Sequence, residues 1–295
     1  MQLLEENDME KEIIDGKTIA QKAVNFIKER YDSKKAYTGI LSGFSDLDRM
    51  TFGFQNSDLI IIGSRPGAGK TAFALSMIKN IAIENKISCG FISLEESCEM
   101  IGTQLLSQIA EINYKKLIRG MLKEDELRKT LDCADKLYKS PLYILDRPRM
   151  RLSQISDFAR FMVMEQNVKI LFIDYLNLIE TENRRLPYHD ERTEMAVMLK
   201  NLAREIKIPI VVLCQLKPVK TKKKPDLEEM RRIGDFEQAA DVLLFLHRNR
   251  SEEINTPDEA KIIVAKNKHG AAGEVPVQFL SEYCMFTDFA KPSDL

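Results

Sequence analysis

Leu59-Ile60-Ile61-Ile62-Gly63-Ser64-Arg65-Pro66-Gly67-Ala68-Gly69-Lys70-Thr71 is the stretch on which the fold turns. Its four consecutive aliphatic residues suit a strand covered on both faces. Three glycines then let the backbone turn tightly and aim its N–H groups at an anion, and the helical pattern opening at Lys70 adds the positive end of a helix dipole. Lys70 is placed to hold the β- and γ-phosphates of a nucleotide, and Thr71 to set its hydroxyl on Mg²⁺. The strict pattern G-x-x-x-x-G-K-[ST] fails at one position, because Ser64 stands where its first glycine belongs. Strand, loop and helix nonetheless follow in the required order. Gly63, Ser64, Arg65, Pro66, Gly67, Ala68, Gly69, Lys70 and Thr71 are therefore read as a phosphate cradle.

Outward from this loop, apolar runs alternate with helical periodicity. Strands are expected at 58–62, 88–93, 142–145, 169–173, 210–214, 241–246 and 261–265, and helices at 70–82, 99–111, 124–138, 153–166 and 191–205. Such alternation predicts an α/β fold, a mostly parallel central sheet with helices on both faces. Ligands of these sheets sit beyond the carboxyl ends of the strands. Asp174 follows Phe172-Ile173 at one such end and is suited to orienting the water shell of Mg²⁺. Glu95 and Glu96 follow Phe91-Ile92-Ser93-Leu94 at another, where a carboxylate can activate attacking water. Gln215 closes Val211-Val212-Leu213-Cys214 at a further end and can hydrogen-bond a γ-phosphate. Four strand ends converge on one nucleotide, and hydrolysis of a nucleoside triphosphate is the reading.

Composition excludes other chemistries. The 295 residues carry 44 basic and 45 acidic side chains, so no overall basic field announces a nucleic-acid partner, and local patches must supply any such contact. Five scattered cysteines and three histidines make neither a C-x-x-C pair nor a zinc spacing. No apolar run approaches the roughly 18 residues of a membrane span, and the N-terminus is acidic (Glu5, Glu6, Asp8, Glu10) rather than signal-like. A cytoplasmic protein without membrane contact is expected. Residues 1–16 lack periodicity and are expected to be a mobile acidic tail. From Thr18, Ile19, Ala20, Ala23, Val24, Ile27 and Tyr31 recur at helical spacing; this stripe packs either on its own domain or on a neighbouring subunit.

Over residues 18–286 the sequence resembles the RecA-type motor domain of DnaB-type replicative helicases. Thr38-Gly39-Ile40-Leu41-Ser42-Gly43-Phe44-Ser45-Asp46-Leu47-Asp48 is similar to that family's I-T-G-I-P-T-G-F-x-D-L-D, and its loop G-x-R-P-x-x-G-K-T accounts for Ser64. Ser93-Leu94-Glu95 matches S-L-E, Ile173-Asp174-Tyr175-Leu176-Asn177-Leu178 resembles I-D-Y-L-Q-L, and Gln215-Leu216 fits S-Q-L. Residues 229–241 resemble D-L-R-E-S-G-x-I-E-Q-D-A-D. The resemblance implies a RecA-like P-loop NTPase that hydrolyses ATP with Mg²⁺ between the subunits of a homo-oligomeric ring, normally a hexamer. It implies single-stranded DNA in the channel, movement 5′ to 3′, and a helicase loader or primase as further partners. Glu95 becomes the catalytic base in preference to Glu96. Arg231, Arg232 and Gly234 fall in the DNA-gripping loop, and Arg184, Arg185 and Arg192 in a second loop at 182–192. The division expected is a tail at 1–16, a linker helix at 17–36 that docks on the adjacent subunit, and a motor domain at 37–290.

Departures from the pattern shape the expectations. The family string A-K-x-R-[NH]-G, whose lysine and arginine reach a neighbour's γ-phosphate, reads Ala265-Lys266-Asn267-Lys268-His269-Gly270 here. Lys266 is kept, and Lys268 keeps the arginine's charge without its planar fork, so slow hydrolysis is expected. Ala196-Val197-Met198-Leu199-Lys200 lacks the arginine of S-R-x-L-K, and Arg232 replaces an acid, adding positive charge for DNA. The family's N-terminal collar domain has no counterpart in the sequence, so ring assembly is expected to lean on the linker helix and to be weak or nucleotide-dependent. The basic run at 217–224 is either a DNA contact or a solvated loop. A RecA-like ATPase switch or an assembly partner without unwinding is the competing reading.

Overall fold

Alternate residues of the central strand serve opposite layers. In β1 (Leu59–Ser64), Ile60 and Ile62 pack with Phe73, Ile101 and Leu105, whereas Leu59 and Ile61 pack with Ile155, Leu199 and Ala203. All six residues of the strand are buried, which is why it is continuously apolar rather than alternating. The computed structural model describes residues 14–33, 37–180, 187–219, 223–249 and 256–289.

In chain order the helices are α1 (Gly16–Ser33), α2 (Ser45–Thr51), α3 (Lys70–Ile78), α4 (Cys98–Ala110), α5 (Tyr114–Arg119), α6 (Glu124–Tyr138), α7 (Leu152–Gln166), α8 (Tyr188–Ile206), α9 (Leu227–Arg231) and α10 (Phe236–Ala239). The remaining strands are β2 (Cys89–Ser93), β3 (Leu142–Asp146), β4 (Ile170–Asp174), β5 (Ile210–Gln215), β6 (Val242–Asn249), β7 (Asp258–Asn267), β8 (Gly273–Leu280) and β9 (Met285–Asp288). They form one sheet in the order β3-β2-β4-β5-β1-β6-β7-β8-β9. The six strands from β3 to β6 run parallel, and β7, β8 and β9 extend the sheet in antiparallel fashion.

The expected mostly parallel sheet with helices on both faces is thus present, with two additions. The helix expected at 70–82 ends as α3 at Ile78 and continues as a wider π turn over Lys79–Glu84. Strands β8 and β9 lie beyond the last expected strand. Pro276 obscures β8 in the sequence, since proline has no N–H for a ladder; it pairs across from Lys261 one residue short of where β9 begins to run alongside.

Two units are distinguished, Met1–Thr38 and Gly39–Leu295. In the first, the Asp15 carboxylate accepts from the Thr18 N–H at 2.9 Å at the start of α1, and Ile19, Phe26, Ile27 and Tyr31 are exposed. Most of the tail expected at 1–16 lies outside the described residues. No described helix is long and apolar enough to cross a membrane.

At the amino ends of β1 and β6, the Asp241 carboxylate accepts from the Leu59 N–H at 2.9 Å and pairs with Lys200. Burial pushes that carboxyl up, but Lys200 and the Leu59 N–H outweigh it and hold Asp241 below the usual range. His269 lies 2.7 Å from Asp58 in the same cluster, which fastens the β7–β8 turn to the start of the central strand.

Candidate active site

The carboxyl edge of the sheet collects the chemistry because the parallel register aligns it there. Ser64 ends β1 opposite Gln215 at the end of β5, and Ser93 ends β2 opposite Asp174 at the end of β4. Between β1 and α3 the backbone takes left-handed conformations at Gly67 (φ 73°) and Gly69 (φ 96°), which glycine adopts without steric cost. Among the described residues no side chain caps the amino end of α3, which leaves its first N–H groups directed at the loop.

Lys70 and Thr71 both turn to Asp174. The Lys70 ammonium ion-pairs with Oδ1, and the Thr71 hydroxyl donates to Oδ2 at 2.6 Å. The ammonium also lies 4.2 Å from the centre of the Tyr175 ring. The Ser64 hydroxyl is buried beside the loop with no hydrogen-bond partner among the described residues. A glycine-turned loop at a helix start, an orphaned hydroxyl, an ammonium and a Thr–Asp pair form the donor set that a phosphate chain with a hard divalent cation needs.

A cavity of about 320 Å³ joins Lys70 and Thr71 to Glu95, Glu96 and Gln215. The two acids follow β2 in a loop fastened by the Ser93 hydroxyl, which donates to the Glu96 carbonyl at 2.6 Å and accepts from the Glu96 N–H at 3.2 Å. Burial raises the Glu95 carboxyl; Lys70 opposes this and Asp174 adds to it. Burial also raises Glu96, reinforced by the charges of Asp174 and Glu95, and its Oε2 finds no partner among the described residues. Glu95 is the more exposed of the two, and Glu96 is the one wedged against protein. Gln215 is held by backbone, its N–H donating to Asn177 Oδ1 at 3.2 Å and its carbonyl accepting from Asn177 Nδ2 at 3.3 Å.

Arg248 belongs to this site and was not among the residues expected. Its Nη2 donates to the Gly67 carbonyl at 2.6 Å, and its guanidinium lies 4.2 Å from the centre of the Phe279 ring. The available signal was a basic residue just past the apolar run of β6, a strand that pairs with β1 up to Ser64.

Other expected residues lie elsewhere. Lys268 is at the opposite edge of the sheet: its N–H donates to the Asp241 carbonyl and its ammonium stands 3.4 Å from the Asp241 carboxylate. Asp241 adjoins Leu59 at the start of β1, about 17 Å from the strand's other end at roughly 3.3 Å per residue. Lys266 donates to the carbonyls of Glu237 and Ala240, both at 2.6 Å. Arg231 pairs with Glu237 and Arg232 with Glu228, and all four are surface residues. Gly234 packs closely, since a Cβ there would stand 3.0 Å from Arg192 Cβ. The assignment of Arg192 to a DNA loop is corrected: it is buried in α8, where its Nη1 donates to the carbonyls of Leu176 and Ile179. Its charge is spent on carbonyls of the turn after β4. Arg184 and Arg185 lie outside the described residues. In the basic run, Lys223 pairs with Asp226 and Lys224 with Glu274.

Residues 39–288 match the model of the DnaB-like helicase C terminal domain. The chain is 37% identical over 270 residues to the replicative DNA helicase DnaB of Treponema pallidum, covering 92% of this chain and 60% of that protein. It is 35% identical over 274 residues to the replicative DNA helicase DnaC of Bacillus subtilis, covering 91% and 60%. The chain therefore spans about three fifths of the length of these curated relatives. Among solved structures, one ATPase domain superposes with a TM-score of 0.84 at 28% identity, covering 94% of this chain and 100% of that one. A DnaB-like replicative helicase, described with its interactions with primase, gives 0.80 at 28% identity, covering 91% and 66%. The expected RecA-like fold is the fold observed. With a match across most of its length and the phosphate loop, strand-end acid and sheet order in place, this chain belongs to the DnaB-like helicase C-terminal domain family.

Proposed function

We propose that this chain is an ATP-dependent replicative helicase motor of the cytoplasm. It hydrolyses ATP between the copies of a ring, normally a hexamer, moves along single-stranded DNA and separates duplex. The observation that carries the reading is the closure of Lys70 and Thr71 on Asp174 beside Glu95 and Gln215.

Each side chain has a distinct task. The amides of the glycine loop bind phosphate oxygens, and Lys70 exchanges the Asp174 carboxylate for the β- and γ-phosphates. Thr71 and Asp174 would hold Mg²⁺, which would neutralise phosphate charge when bound. Glu95 takes the proton of the attacking water; a carboxyl raised by burial is a better base than an ordinary glutamate. Gln215 hydrogen-bonds the γ-phosphate, and Lys268 of a neighbouring copy stabilises the charge that develops there. Arg231 and Arg232, together with Arg184 and Arg185, grip DNA phosphates, contacts that are independent of sequence and weaken with salt. A helicase loader or primase is the class of protein partner this reading implies.

Displacement of a strand from a forked DNA substrate, with Lys70→Ala as control, tests the reading. ATP-driven separation by the wild type alone is expected. Hydrolysis without separation would instead favour a RecA-like ATPase switch, a reading that lysine in place of arginine at 268 supports.

A further inference from the structure

Arg65 sits in the phosphate loop but is engaged away from it. Its Nη2 donates to Glu229 Oε1 at 2.5 Å and its Nε to Glu229 Oε2 at 3.2 Å, a bidentate pair in which both side chains are largely buried. Its Nη1 donates to the Lys223 carbonyl at 2.5 Å. Glu229 lies in α9, whose first turn is capped by Asp226 accepting from the Glu229 N–H at 3.1 Å.

A second contact joins the same two segments. A Cβ on Gly63 would stand 2.7 Å from Met230 Cε, so the missing side chain is what lets Met230 close against the end of β1. Beyond Met230 come Arg231 and Arg232 on the surface, and the Arg231 carbonyl lies 2.9 Å from His189 Nε2 at the start of α8. The loop that holds phosphate and the segment carrying the surface arginines are thus joined by a charged fork and a packed methionine within one chain.

We propose that Arg65 and Glu229 are positioning residues: they transmit the state of the phosphate loop to the 226–234 segment, so that the bound nucleotide sets how tightly that segment holds single-stranded DNA. This rests on the DNA-binding reading given above. A bidentate pair passes on orientation as well as distance, because both hydrogen bonds must move together. Coupling between two sites by such a link is reciprocal, so DNA on the segment must equally alter nucleotide affinity.

The readout is the ratio of two affinities of the assembled protein for fluorescein-labelled oligothymidine, one with a non-hydrolysable ATP analogue and one with ADP. In the wild type the ratio should depart from one by about fivefold or more. Glu229→Gln should bring it close to one, Glu229→Asp should retain most of it, and Arg65→Gln/Glu229→Gln should match either single variant. All are measured well below each variant's melting temperature. A Glu229→Gln protein that keeps the wild-type ratio, or single effects that multiply in the double variant, would overturn the coupling while leaving the DNA-binding reading intact. A wild type that does not bind oligothymidine would take down both.

Discussion

Lys70 and Asp174 neutralise each other across the carboxyl ends of β1 and β4, with side chains only 8% and 1% exposed. In the free protein Asp174 does for Lys70 what a phosphate does in the proposed bound state. Lys70→Ala strands a buried carboxylate and should lower stability by about 3 kcal/mol, since removing one partner of a buried pair leaves an uncompensated charge. Thermal melting without nucleotide checks this, and Lys70→Ala/Asp174→Asn should recover most of the loss. Equal melting of wild type and single variant would refute it.

The paired acids should separate by role. Glu95→Gln should cut turnover about a hundredfold or more while nucleotide binding persists, as expected for loss of a general base. Burial chiefly raises its carboxyl, so the acid limb of the wild-type rate should lie above the ordinary glutamate value, with activity lost as pH falls through that raised value.

Glu96 should behave differently. Its carboxyl is likewise raised by burial, so the folded chain binds its proton more tightly than the unfolded chain. Stability from this group is therefore greatest below the unfolded value of 4.5 and declines as pH climbs to the raised folded value. Glu96→Gln should flatten that dependence and melt higher than wild type at pH 7, with hydrolysis retained. Loss of hydrolysis in Glu96→Gln and its persistence in Glu95→Gln would reverse the assignment.

Lys268 cannot serve the phosphate loop of its own chain, because its ammonium is held at the far edge of the sheet by Asp241. Lys268→Ala should lose about a hundredfold in turnover, less than the 10³ to 10⁵ typical of an arginine finger, and Lys268→Arg should exceed wild type. Mixing Lys268→Ala with Lys70→Ala should give more hydrolysis than the two separately, because each supplies what the other lacks. A mixture no better than the sum would rule out donation between copies.

The surface arginines should prove dispensable for folding. Arg231 and Arg232 are more than half exposed in their pairs with Glu237 and Glu228, and exposed pairs of this kind contribute little to stability. Substituting either by alanine should leave melting nearly unchanged, weaken oligothymidine binding irrespective of sequence, and reduce the slope of log affinity against log salt by about one. An unaltered slope would remove that arginine from the interface.

The phosphate loop, Asp174, the Glu95–Glu96 pair and Gln215 were legible because each needs only a strand, its end and a polar residue just beyond; the preference for Glu95 over Glu96 came from the resemblance alone. A buried strand such as Ile170–Asp174 is announced by unbroken apolar residues, and its final acid marks the sheet edge without knowledge of the partners. Arg248 was hidden because its role comes from the pairing of β6 with β1, a contact nearly two hundred residues apart in sequence. Arg192 misled for a related reason. One turn inside a helix, its charge looks available, and only the tertiary structure brings the carbonyls of Leu176 and Ile179 to it. β8 and β9 escaped because a proline interrupts one and the other is four residues long. Lys266 and Lys268 were found through a string of residues, whereas their distance from the phosphate loop is a property of the sheet.

The single sheet from β3 to β9 has a mechanical consequence. Hydrogen-bonded ladders with helices packed on both faces act as a stiff plate, whose interior is as dense as a crystal and transmits displacement rather than absorbing it. The strand that ends in the phosphate loop and the ribbon that ends in Lys268 are parts of that plate, so neither can travel far relative to the other. Within one chain, therefore, a displacement of the phosphate loop is carried to the Lys268 end of the sheet rather than absorbed between them.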